Sequence, residues 1–200
     1  MSDTRKPRGP RSFDPVAVGE AETEAWASYY RHEWVSFLRS AVAMVREGFG
    51  MSRSRTLLGA WWVLRANQQW APFPDNDPDG ARRSMGRFYT LVARAGDLPI
   101  DPAQAAAYEV EWWRIHRAHQ HDPAVSDTKL VRALVDLYAY VYAAPRDLLR
   151  PAAAARVAAM DLSDAWVRAG SRRDDPLLAA ERGKLVESYA ALRAAVGSQA

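Results

Sequence analysis

Three of the four histidines and two of the eight tryptophans fall in one short stretch, Tyr108 to His121. Read as a helix at about 100° per residue, it puts Glu109, Trp112, Trp113 and His116 on one stripe with His119 at its edge. Glu111 and Arg114 fall on the opposite, solvent face. A carboxylate beside an imidazole between indole walls supports three kinds of chemistry. His116 can act as a general base or ligand oriented by Glu109 or Glu33. The same groups can line a small-molecule pocket. Or they form a hydrogen-bonded core pair that holds helices in register. Two other segments repeat the pattern. Glu33 interrupts the apolar stripe of Trp26, Tyr30, Phe37 and Met44. Arg65, with Gln68 one turn on, lies on the side of Leu57, Leu58, Trp61 and Leu64. Buried charges need partners, so Glu33, Arg65, Gln68, Glu109 and His116 are expected to meet in one interior network. Trp61, Trp112 and Trp113 would wall it, His119 would join at its rim, and Arg65 would hold an anionic group.

Metal chemistry is weaker in the pattern. His116 and His119, at i and i+3, can share an ion, but Glu109 lies about 10 Å from His116 along the axis. Glu33 would have to supply the third ligand. The Glu-x-x-His pairs of di-iron bundles do not occur, so no metal is assigned and the cofactor stays open. Asp75-Asn76-Asp77-Pro78-Asp79-Gly80 imitates the start of a calcium loop, but Arg83 and Gly86 occupy its ninth and twelfth positions. It reads as a turn and cap. Asp161 and Asp164 look like half of an Asp-rich motif without its second half and read as surface residues. There is no cysteine, which excludes disulfides and thiolate sites. No P-loop, dinucleotide fingerprint or nucleophile elbow occurs. The step Arg114-Ile115-His116 ahead of an apolar helix is faintly similar to the all-helical, haem-containing mpaB-type oxygenases. The likeness covers a few residues and assigns no family; it implies one axial histidine in a helical pocket.

The elements that must position these groups read as helix after helix. The periodicity predicts helices over 21–48, from Ser52 or Ser54 to about Trp70, from an Asp79 cap over about 80–95, and over 128–143. Asp101-Pro102, with Gln104 behind it, starts the clearest helix, which runs to about Gln120. Pro151 fits the first position of a helix to about Ala169, and Asp175-Pro176 opens the last, to about Val196. That makes an all-α, single-domain bundle of about seven helices with short connections over 20–198. Residues 1–19, with Arg5-Lys6-Pro7-Arg8-Gly9-Pro10-Arg11, read as a disordered basic tail.

The chain has 200 residues and a net charge of +3. All its basic residues except Lys6, Lys129 and Lys184 are arginines. With abundant Ala and Gly, this resembles a GC-rich, actinobacterial-type coding bias, so the arginines are a poor signal for nucleic acid. No apolar run is long enough to span a membrane and no leader pattern opens the chain, so the expected location is cytoplasmic. The leading expectation is a cytoplasmic helical protein that binds a small, hydrophobic molecule in an aromatic-lined pocket. One rival is an interaction module contacting a protein partner through the basic tail or the Trp70–Gly80 loop, with the polar network purely structural. A second is a metal- or haem-dependent, oxygenase-like enzyme. A transcriptional regulator fits less well, because the helix after Gly50 carries Trp61 and Trp62 where a recognition helix exposes polar side chains.

Overall fold

The computed structural model describes residues 9–197, and among them it contains α-helices and no strand. The helices are α1 (Pro15–Tyr30), α2 (Trp34–Phe49), α3 (Arg53–Trp70), α4 (Pro78–Gly96), α5 (Pro102–His121), α6 (Asp127–Tyr142), α7 (Arg146–Arg168) and α8 (Pro176–Gly197). None is long and apolar enough to cross a membrane. Four of them start on the same device. Asp14, Asp77, Asp101 and Asp175 each precede a proline at the first helical position and accept backbone N–H bonds at 2.7–3.3 Å. The aspartate satisfies N–H groups that have no partner inside the helix, and the proline has no N–H to leave unpaired.

Each helix packs against its neighbours in the chain, and α8 returns to pack against α1. The eight helices therefore close into a ring. A ring of this size leaves a centre that backbone cannot reach, and large side chains must fill it. Phe37, Phe88, Tyr89, Trp112, Trp113, Tyr138 and Tyr142 are buried there. This is the structural use of the chain's aromatic content.

The expected helix over 21–48 is two helices. The chain turns at Arg31–Glu33, where His32 adopts φ +57°, a left-handed conformation that few non-glycine residues visit. His32 stacks on Trp34 there, with ring centroids 5.9 Å apart. The helix count is eight rather than seven for this reason. Pro151 lies inside α7, not at its start, because the helix begins at Arg146. Asp77, not Asp79, caps α4. Of the expected tail, residues 1–8 lie outside the described residues, whereas Phe13 is buried and α1 begins at Pro15. Arg11 donates to the backbone carbonyls of Tyr142 (2.7 Å) and Val196 (3.4 Å), which ties this segment to the ends of α6 and α8.

Candidate functional site

Side chains fill the centre of the ring incompletely. A cavity of about 180 Å³ remains, and all eight helices and Phe13 contribute to its wall. Apolar groups dominate that wall, Phe37, Met44, Val63, Phe88 and Leu134 among them, and its charged members are Glu22, Glu109 and Arg156.

Glu109 comes from α5, which turns its stripe of Val110, Trp112, Trp113 and His116 inward and exposes Glu111 and Arg114 as an ion pair at 2.7 Å. Three donors converge on the Glu109 carboxyl. The Trp112 and Trp113 indole N–H groups donate to Oε1 at 3.0 and 3.1 Å, and the Tyr89 hydroxyl of α4 donates to Oε2 at 2.6 Å. Burial pushes the carboxyl above its ordinary range, and the Tyr89 bond, the Arg156 charge and the indole bonds offset part of that rise. Glu109 keeps some accessible surface although protein encloses it, because the cavity lies beside it.

Also on the cavity wall, Glu22 of α1 and Arg156 of α7 form a buried ion pair. Both guanidinium Nη groups donate to Glu22, one of them at 3.1 Å. The Tyr189 hydroxyl of α8 and the Trp26 indole (3.1 Å) complete the carboxylate's partners. Burial opposes the charge on Arg156, but Glu22, Tyr138 and Tyr189 together outweigh it and hold the guanidinium well above its ordinary value. Arg156 also sits over the Trp112 ring, 5.6 Å from its centroid. Two buried polar atoms beside this pair have no hydrogen-bond partner, Arg156 Nε and the Tyr138 hydroxyl. Burial raises the Tyr138 pKa; the Arg156 charge nearby favours its ionised form, although the two do not make a well-aligned bond.

His116 belongs to a neighbouring cluster. Its Nε2 lies 3.4 Å from Asp164 of α7, and Gln120 donates to the same carboxylate at 2.6 Å. The His116 ring packs against Trp26 and Trp112. Burial works against the Asp164 charge, but His116, Gln120 and Arg168 together hold the carboxyl below its ordinary value. Glu181 of α8 is buried in the same region, and its Oε2 has no hydrogen-bond partner. Burial, together with the charges of Glu22 and Asp164, pushes its pKa up to about 8.

The expected network is thus divided. Glu109, Trp112 and Trp113 line the cavity, and His116 stands next to it. Glu33 does not join them: it stands at the break between α1 and α2, and its side chain pairs with Arg31 and Arg173, each at 2.7 Å. Arg65 and Gln68 bond to each other at 3.0 Å on the half-buried flank of α3, and Asn67 is the α3 polar residue at the cavity. Trp61 is 47% exposed. The inward face of α3 is Gly59, Ala60, Val63, Leu64 and Ala66 rather than Leu57, Leu58 and Trp61. A Cβ on Gly59 would meet Val45 at 3.3 Å, so α2 and α3 approach too closely for Leu57, Leu58 and Trp61 to fit between them.

His119 lies apart, at the outer end of α5. Its Nδ1 is 2.6 Å from the Val125 carbonyl, and its Nε2 is 3.3 Å from Asp161 and 3.7 Å from Asp127. These three side chains are close enough to share an ion, and equally form an ion pair between imidazolium and carboxylates; Asp161 and Asp127 are exposed. In the Trp70–Gly80 loop, Trp70 is buried against Trp113 and under the Arg117 guanidinium. Phe73 is 61% exposed and stacks on His121.

Sequence reasoning missed Glu22, Arg156, Tyr138 and Tyr189 as site residues. A signal existed for two of them. Glu22 precedes Trp26 by one helical turn, on the same face, and Arg156 is the one charge in the run Ala152–Met160. No family model matches the chain, and neither the curated proteins nor the solved structures contain a match.

Proposed function

We propose that this protein binds a small, largely apolar molecule inside its ring of helices. The observation that carries the reading is the central cavity: about 180 Å³ of space where the eight helices leave the centre of the ring unfilled. Close-packed interiors seldom keep such voids, and an apolar cavity of about 150 Å³ accepts benzene. A compact molecule of roughly ten heavy atoms or fewer suits the volume on that scale. Its walls pair aromatic surface with a few fixed polar groups, the usual composition of a ligand site. The residues in contact would be Phe88, Trp112, Leu134 and Val141, with Glu109 and Tyr138 as polar contacts.

The test is titration with benzyl alcohol, followed by tryptophan fluorescence and by thermal unfolding. Binding should quench the interior indoles and raise Tm. Val141→Phe, which puts a ring into the cavity, should abolish both effects while leaving the fold intact by circular dichroism. Binding that survives Val141→Phe unchanged would place the ligand elsewhere and refute the reading.

A second reading, an interaction module, draws on one observation. Leu57, Leu58 and Trp61 expose apolar surface on one flank of α3, since residues three and four apart are neighbours on a helix. Trp61→Glu would then weaken association with a partner and leave ligand binding in the cavity unaltered.

A further inference from the structure

We propose that the molecule received by the cavity is a small apolar amine, bound as its ammonium ion against Glu109. The inference rests on the reading of the cavity as a ligand site and adds the ligand's charge.

The argument is one of charge balance and hydrogen-bond capacity. The cavity wall carries two carboxylates, Glu22 and Glu109, and one guanidinium, Arg156. Arg156 is committed to Glu22 by bonds from both Nη groups. Among the described residues Glu109 forms no ion pair; the Arg156 charge reaches it only through space. Its three partners, Tyr89, Trp112 and Trp113, donate hydrogen bonds but bring no charge. A buried carboxylate without a counter-charge is costly: burial raises the Glu109 carboxyl on balance, the three donors and the Arg156 charge offset part of that rise, and a cation in the cavity would favour the ionised form further. A carboxylate accepts about four hydrogen bonds. Oε1 already accepts two and Oε2 accepts one, so Oε2 can take one more N–H. The surroundings suit an ammonium group as well. Tyr89, Trp112 and Trp113 line the cavity beside the carboxyl, and aromatic rings attract a cation electrostatically. An anionic ligand would meet an unpaired carboxylate, with the only guanidinium on the wall already neutralised. A neutral alcohol could bond to the Tyr138 hydroxyl, which lacks a partner, but would leave Glu109 uncompensated.

The experiment compares benzylamine, benzyl alcohol and benzoate by titration calorimetry at pH 7, using the full chain and its Val141→Phe, Glu109→Gln and Tyr89→Phe variants. Benzylamine should bind at least about tenfold more tightly than benzyl alcohol, as expected for a charge-assisted bond in a desolvated site. Benzoate should not bind, and Val141→Phe should abolish benzylamine binding. Glu109→Gln should remove the preference for the amine. Tyr89→Phe frees an acceptor position without changing the charge and should keep the preference, so the inference stays testable if Glu109→Gln fails to fold. If benzyl alcohol binds as tightly as benzylamine, or more tightly, the ammonium assignment is wrong and the cavity reading stands. If none of the three binds at millimolar concentration, the cavity reading itself fails.

Discussion

Glu181→Gln should make the protein more stable at alkaline pH and change little in acid. Glu181 is 1% exposed, its Oε2 has no hydrogen-bond partner, and the charges that act on it are those of Glu22 and Asp164. Burial and those two carboxylates raise its pKa from 4.5 to about 8. A group whose value is raised by folding is unpenalised below its unfolded value, near 4.5. The folded state then loses stability as pH rises through about 8. One pKa unit is worth about 1.4 kcal/mol, so the full cost of ionising Glu181 in place is about 5 kcal/mol. Most of that, about 3 kcal/mol, develops between pH 5 and pH 8. The amide keeps the shape of the side chain and does not titrate. Urea unfolding of both proteins at pH 5, 6.5 and 8 isolates the effect, because every other titrating group is common to the pair. The stability difference should grow in favour of the variant across this range. A difference that stays constant with pH would refute the reasoning, since Glu181 would then titrate alike in the folded and unfolded chains.

Arg156→Met should cost about 3–5 kcal/mol, because it leaves the Glu22 carboxylate buried without its counter-charge; denaturant unfolding measures it, and adding Glu22→Gln should recover part of the loss. Gly19→Ala should destabilise by about 1–3 kcal/mol, since the new Cβ would lie 2.8 Å from Val186 Cγ2 and 3.0 Å from its backbone nitrogen. A Tm equal to that of the parent would show that α1 and α8 can separate at this crossing.

The all-helical architecture was legible because apolar residues recur at helical spacing between Pro and Gly breaks. The start of α5 was legible from Asp101-Pro102. The break between α1 and α2 was not. It falls at Arg31-His32-Glu33, with no Gly or Pro, and it is tied by long-range contacts, Arg31 donating to the Ser171 carbonyl and Arg173 to Glu33. That break carried Glu33 out of the stripe extrapolated from Trp26. The inward face of α3 was hidden for a different reason. Hydrophobicity points to Leu57, Leu58 and Trp61, but the close packing of α2 and α4 on α3 selects Gly59, Ala60 and Ala66 for the interior. At the candidate site, the wheel of α5 placed Glu109, Trp112, Trp113 and His116 inward because that helix has no break. Arg156 went unseen because two dozen arginines make any single one look like surface. What separates it is position, in a helix face otherwise made of Ala, Val and Met. Ring closure of α8 on α1, which creates the cavity, is a long-range property that no local spacing encodes.

The central claim is that the ring of helices holds a usable cavity. The most direct test is a crystal structure of the protein soaked with bromobenzene, located by the anomalous signal of bromine. The account predicts a bromine peak inside the ring, among Phe88, Trp112 and Leu134, with the Glu109 carboxyl still bonded to Tyr89, Trp112 and Trp113. A bromine-free interior in which side chains close the space between α1, α4, α5 and α6 would contradict it.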